Sequence, residues 1–290
     1  MTTWVDPDFG GAVMTAALMA LGRVIDSSSS GVRVQLDRIF AHDNRAADGA
    51  RGDEVAIHRS PIVGHGHENI ARPKGEVFLF VARRDESGAL VGYTDSFWTF
   101  DVGDDERVHM PIRDPFTRAY VLFDDLSELV PLMRDRRAPA HVFLSRQAGR
   151  LATTPVAATQ PIEVNEQIVA LESFAHLGTE KEAAAALPFL ESPHYQIRWS
   201  AVRALGTCGG PQAARAVLDR LAREDTPPVQ AAIGEALWRL ADPSMRGEIE
   251  AALPKVHAES MPYSRNIMSP IMNMMPSPRG TLNAVLRRLS

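Results

Sequence analysis

The chain has 290 residues, 45% hydrophobic and 23% charged, an ordinary balance for a globular protein built as two domains or as one domain plus a repeat array. A formal net charge of −5 excludes a surface made throughout for nucleic acid. One cysteine, Cys208, excludes intrachain disulfides and cysteine-rich metal sites, and no segment has the roughly 18 uninterrupted apolar residues of a membrane span.

The N-terminal "AVMTAALMALG" is apolar, but "MTTWVDPDFG" before it carries acids and no lysine or arginine, the wrong flank for a secretory signal. The chain therefore reads as cytoplasmic; an exported protein with its leader removed would read the same way. From Leu18 to Phe123 the apolar period is close to two. In "VRVQLDRIF" Val32, Val34 and Leu36 alternate with Arg33, Gln35 and Asp37, as a strand with one buried face requires. "RVID" precedes it across "SSSSG", a run suited to a hairpin loop. "DEVAIHRSPIV", "GEVFLFVARR", "LVGYTDSFWTFDV" and "RAYVLF" continue the series, punctuated by glycine-bearing turns. Short strands with no helical period between them predict a small barrel or curled sheet. "DDLSELVPLMRD" then becomes helical, with Asp124 or Asp125 as its N-cap, so the β half is expected to end near Phe123.

The strands "ALGRVID", "VRVQLDRIF", "GDEVAI" and "GEVFLFV" resemble those of the small OB-like β-barrels that bacterial proteins place ahead of other modules. The expected domain covers residues 1–135.

One loop in this half invites chemistry. In "IVGHGHENIAR", His65, His67 and Glu68 offer imidazoles and a carboxylate suited to zinc, and side chains two apart on a strand face the same way. The third ligand is missing, since His58 would come from another strand, so the preferred reading is a polar, glycine-flanked loop. No metal or other cofactor is expected. "DVGDDE" gathers acids without the ordered spacing of a calcium loop and reads as a solvated hairpin tip. No nucleophile elbow, phosphate loop or catalytic carboxylate pair can be placed, and no catalytic residue is assigned. Cys208, in the helix-ending "LGTCGG", reads as a small buried residue.

Arg134, Arg136, Arg137, Arg146 and Arg150 stand against a single Asp135, and read as solvated helix ends and a linker over residues 136–160. Beyond it the period changes. Ile197 and Val229 are 32 residues apart, as are Leu205 and Leu237, and Leu177-Gly178-Thr179 precedes Leu205-Gly206-Thr207 by 28. Ile197, Ala201 and Leu205 step by four, as do Val229, Ile233 and Leu237, which gives each helix one apolar stripe. A turn and a second helix follow each: "AAAALPFLES", "AARAVLDRLARE" and "RGEIEAALPKVH". Helix, turn, helix at a period near thirty predicts an α-solenoid.

"YQIRWSAVRALGTCGGPQAARAVLDRL" resembles a HEAT repeat of the short bacterial kind called HEAT-like or PBS-lyase-like. Ile197-Arg198, Ala201, Ala204-Leu205-Gly206 and Val217-Leu218 carry the resemblance. Two departures stand out. "ESPH" replaces the acid usual before the first helix; in the following repeat Asp225 supplies that acid but Gln230 stands where the arginine belongs, so the acid–arginine ties between repeats are expected to be incomplete. The fold class is thus α+β multidomain: an N-terminal small β-barrel or curled sheet, then a C-terminal α-solenoid over 161–290 with about three to four helix pairs. All regular structure beyond Pro161 is expected to be helical and paired.

The resemblance implies a protein-protein interaction or scaffold role, with a protein partner in the solenoid groove. Nucleic acid is not an expected partner. Trp199, Arg215, Arg220 and Trp238 are the expected contact residues, and charge reversal at Arg215 and Arg220 is expected to weaken binding without loss of thermal stability. Met261, Met268, Met272, Met274 and Met275 offer repeat core or a docking patch. The alternative is an enzyme or enzyme accessory. HEAT-like repeats of this type resemble those of bilin-chromophore lyases, and a metal on His65 and His67 would serve a hydrolase.

Overall fold

The computed structural model describes residues 8–43, 51–59, 72–94, 98–113, 118–262, 274–275 and 277–290. The chain divides between Pro139 and Ala140 into two compact units. Among the described residues no helix is long and apolar enough to cross a membrane.

The first unit opens with α1 (Phe9–Thr15), started by Asp8, whose carboxylate accepts from the Gly11 N–H at 2.6 Å. Among the described residues eight strands follow: β1 (Leu18–Ser28), β2 (Gly31–His42), β3 (Glu54–His58), β4 (Val77–Arg84), β5 (Leu90–Gly92), β6 (Thr99–Asp101), β7 (Arg107–Pro111) and β8 (Arg118–Leu122). The order β1-β2-β3-β5-β4 is closed by pairing of β4 with β1, so five strands form a barrel, with β3 and β5 parallel and the other neighbours antiparallel. This order is consistent with the OB-like resemblance. β6 pairs with the N-terminal half of β4, and β7 and β8 pair antiparallel in a separate two-stranded sheet.

The alternation in β2 does what its period predicts: Val32, Val34 and Leu36 point into a core with Leu18, Val24, Val55, Ile57, Phe78 and Phe80. Gly31 is needed where β2 leaves the serine turn, because a Cβ there would strike the carbonyl oxygen of Ile57 on β3. The segment read as one strand from Leu90 is two short ones, β5 and β6. The acidic stretch after β6 is a tight turn, with Gly103 N–H donating to Arg107 O at 2.9 Å. α2 (Phe123–Arg134) begins one residue before the expected cap. Asp124 lies in its first turn and pairs with Arg38 at 2.8 Å.

The second unit contains α3 (His141–Thr153), α4 (Pro161–Leu177), α5 (Ala183–Ala186), α6 (Tyr195–Cys208), α7 (Pro211–Leu221), α8 (Pro227–Leu240), α9 (Arg246–Ala252) and α10 (Pro278–Arg288). Short 3-10 turns flank α5 and α9. Proline opens α4, α7, α8 and α10, where its missing N–H is not needed and its fixed φ already suits a helix. Between α6 and α7 the chain reverses through Gly209 and Gly210, at φ of +82° and +86°, a region closed to most other residues.

The helices form two layers. α4 packs on α6, α6 on α8 and α8 on α10; α7 packs on α9 and on the turn Leu187–Glu191 that follows α5. No strand occurs between residues 165 and 256. Two departures from expectation appear. The stretch expected as a linker contains α3, which buries Phe143, Leu144, Gln147 and Leu151, a helical stripe hidden in a charged segment, and packs on α4. Beyond the last helix pair a two-residue antiparallel ribbon, β9 (Met261–Pro262) with β10 (Met274–Met275), interrupts the helical pattern. Met268 and Met272 lie outside the described residues.

Close approach within the first layer depends on small residues. A Cβ on Gly206 would stand 2.9 Å from the Ala236 Cβ, and one on Gly234 would strike the Thr281 hydroxyl.

Candidate interaction surface

Polar side chains at the start of each first-layer helix lock one repeat to the next. Arg198, in the first turn of α6, is only 8% exposed. Its Nε and Nη2 donate to the two carboxylate oxygens of Glu224, both at 2.9 Å. Its Nη1 donates to the carbonyls of Ser192 and Pro193, and Nη2 also reaches the Thr226 hydroxyl. One guanidinium thus ties the loop before α6 to the loop before α8. Burial pushes the Glu224 carboxyl up, but Arg198, the Thr226 N–H and Arg220 outweigh it and hold the group down at about 2.

Gln230 sits at the same register of α8. Its Nε2 donates to Glu224 O at 2.7 Å, and its Oε1 accepts from the His257 N–H at 3.0 Å, joining the loop before α8 to the segment after α9. As expected, the acid–arginine tie of Arg198 is not repeated at this register of α8, where Gln230 bonds backbone groups in its place. The acid is Glu224, one residue before Asp225, and an amide replaces the arginine because it both donates and accepts.

A second set of contacts crosses from α4 to α6. Glu172 is fully buried and accepts from Ser200 Oγ at 2.6 Å and from Arg203 Nε at 3.1 Å. Thr207 donates to Ala175 O at 2.9 Å. Cys208 is buried against Gly178, and that burial pushes its thiol up to about 12, so it is no nucleophile at neutral pH.

The second layer carries an exposed ridge of ion pairs. Arg215 on α7 bonds Asp219 one turn on and, through two nitrogens at 2.7 Å each, Glu248 on α9. Arg223 pairs with Glu191 at 2.7 Å, and Arg246 with Glu250 at 2.9 Å.

The four residues expected to meet a partner fall in different settings. Arg215 is half exposed on this ridge. Arg220 is only 12% exposed and donates to the buried Glu224 at 2.8 Å, so its reversal would place a carboxylate beside a carboxylate. That contact argues against the expected neutrality of its reversal toward stability. Trp199 is half-buried on α6. Trp238 is 48% exposed at the end of α8, with the Arg288 guanidinium 5.7 Å from its ring centroid.

His65, His67 and Glu68 lie outside the described residues. His58, at the end of β3, is exposed. Among the described residues no group of three or more His, Cys, Asp or Glu side chains is placed to hold a metal ion. Sequence reasoning missed Glu224 and Gln230 as structural ties. The available signal was a polar residue, Arg198 or Gln230, recurring beside the apolar Ile197 and Val229.

Residues 160–238 match the family of HEAT repeats. The matched span runs from the residue before α4 into α8 and contains both Arg198 and Glu224. Comparison with curated proteins and with solved structures gives no match.

Proposed function

We propose, from the HEAT-repeat match over 160–238, that the helical unit is a protein-interaction or scaffold module and that its exposed side chains bind a protein partner. The observation that carries this reading is the division of its polar groups. Arg198, Glu224, Gln230 and Glu172 are buried and spent on joining repeats, whereas Trp238 stands half exposed on α8 and Arg215, though paired with Asp219 and Glu248, stands half exposed on α7. Large aromatics and arginines held in fixed positions are the residue types that dominate binding energies. Arg215 on the second layer and Trp238 on the first are the proposed contact residues, Trp199 lies on the first-layer helix α6, and Arg220 acts through Glu224.

The test uses the full chain as bait in native lysate. Combined Arg215→Glu and Trp238→Ala substitutions are expected to abolish capture of the partner, while Arg33→Glu on the barrel leaves it intact. Capture that survives the first pair and fails with the barrel variant would assign recognition to the barrel.

A further inference from the structure

Cations at the end of α8 lack the compensation found on the second layer. Arg239 and Arg288 are both exposed, and among the described residues neither makes an ion pair or hydrogen bond with a carboxylate. Glu235, one turn before Arg239, is within electrostatic reach of it but does not bond it. On the second layer the opposite holds, since Arg215, Arg220, Arg223 and Arg246 each meet an acid.

Arg288 is also fixed in place. Its Nη2 donates to the carbonyls of Ala241 at 2.6 Å and Leu237 at 3.4 Å, closing the C-terminal end of α8, and its plane lies by the Trp238 ring. This leaves Nε and Nη1 with no carboxylate, beside an indole whose surface is half open. The next residue, Arg239, adds a second guanidinium from the same turn.

We propose that Trp238, Arg239 and Arg288 form a docking site for an acidic protein segment, which seats an apolar side chain on the indole and sets carboxylates against the two guanidiniums. The site rests on the protein-binding reading above and gives the partner its chemistry. A guanidinium donates charge-assisted hydrogen bonds to carboxylates, and positioning of Arg288 by backbone carbonyls lowers the ordering cost on binding. The target is short: Arg288 stands by the indole and Arg239 follows Trp238 in the chain, toward Gly206 of α6. A long polyanion instead needs an extended basic track, and a chain of net charge −5 repels it at distance.

The probe is a fluorescein-labelled peptide of alternating glutamate and leucine with one central phenylalanine, read by anisotropy on the full chain. A lysine-for-glutamate peptide and a single-stranded oligonucleotide serve as comparators. The acidic peptide is expected to bind, to weaken about ten-fold with Arg239→Glu, and to stay within about two-fold with Arg246→Glu, which changes the same charge on α9. Equal loss in both variants, no binding of the acidic peptide, or tighter binding of the oligonucleotide would overturn the site. A native partner captured equally by wild type and Arg239→Glu would also overturn it while leaving the protein-binding reading intact. Failure of wild type to capture any partner would count against that reading, and the peptide assay would still judge this surface.

Discussion

The Arg198 guanidinium grips the Glu224 carboxylate at two points, 2.9 Å each, and so fastens the first helix of one repeat to the loop that opens the next. Removing one partner strands a charge in a site that is almost closed to water. Arg198→Ala should destabilise the chain by about 3 kcal/mol, read as a lowered urea midpoint. Arg198→Lys should recover only part of that loss, because an ammonium cannot reproduce the planar fork. A midpoint unchanged by Arg198→Ala would remove the tie from the account of stability.

The same pair sets a pH dependence. Glu224 is held at about 2 in the folded protein against an ordinary value of 4.5, so the folded state prefers it charged. Its contribution is complete above the ordinary value and is lost as pH falls from there through about 2. Thermal stability should therefore drop across that window, and Glu224→Gln should flatten the drop while lowering stability at neutral pH. An equally steep acid drop in the variant would assign it to other groups.

Arg215 and Arg220 should respond differently although they are only five residues apart. Arg215 is half exposed, and surface pairs of this kind contribute little, so Arg215→Ala should lower the denaturation midpoint least. Arg220 supports the buried Glu224, and Arg220→Ala should cost about 2 kcal/mol. Chemical denaturation of the two single variants checks the ordering, and a larger loss at Arg215 would contradict it.

Helix spacing in the first layer gives a further prediction. Gly234 lets α8 approach the Thr281 hydroxyl of α10, and any larger side chain must push the helices apart. Gly234→Val should cost about 1–3 kcal/mol and raise amide exchange in α10 before the rest of the array. Uniform exchange across all helices in that variant would show that α10 is not the element displaced.

The sequence made the repeats legible through Ile197 and Val229, whose spacing of 32 survives in α6 and α8, and made the barrel legible through the alternation of Val32, Val34 and Leu36. Both signals are periodic and local. β7 escaped notice because five residues with Val108, Met110 and the adjoining Pro111 buried give too short and too irregular a pattern. α3 was masked by its arginines, although Phe143, Gln147 and Leu151 keep helical spacing. The Arg198–Glu224 tie joins residues 26 apart, one of them in a loop, and no period reports such a pairing. Exposure was equally hidden: Arg215 and Arg220 look alike in sequence, and only packing around Glu224 separates them.

The most direct measurement of partner binding by the helical unit is site-specific photo-crosslinking in cells, with the photoreactive residue placed singly at Arg215, at Trp238 and at the exposed Ala56 of β3. The proposed function predicts a discrete protein adduct from the two helical positions and none from position 56. An adduct formed only from position 56 would contradict it.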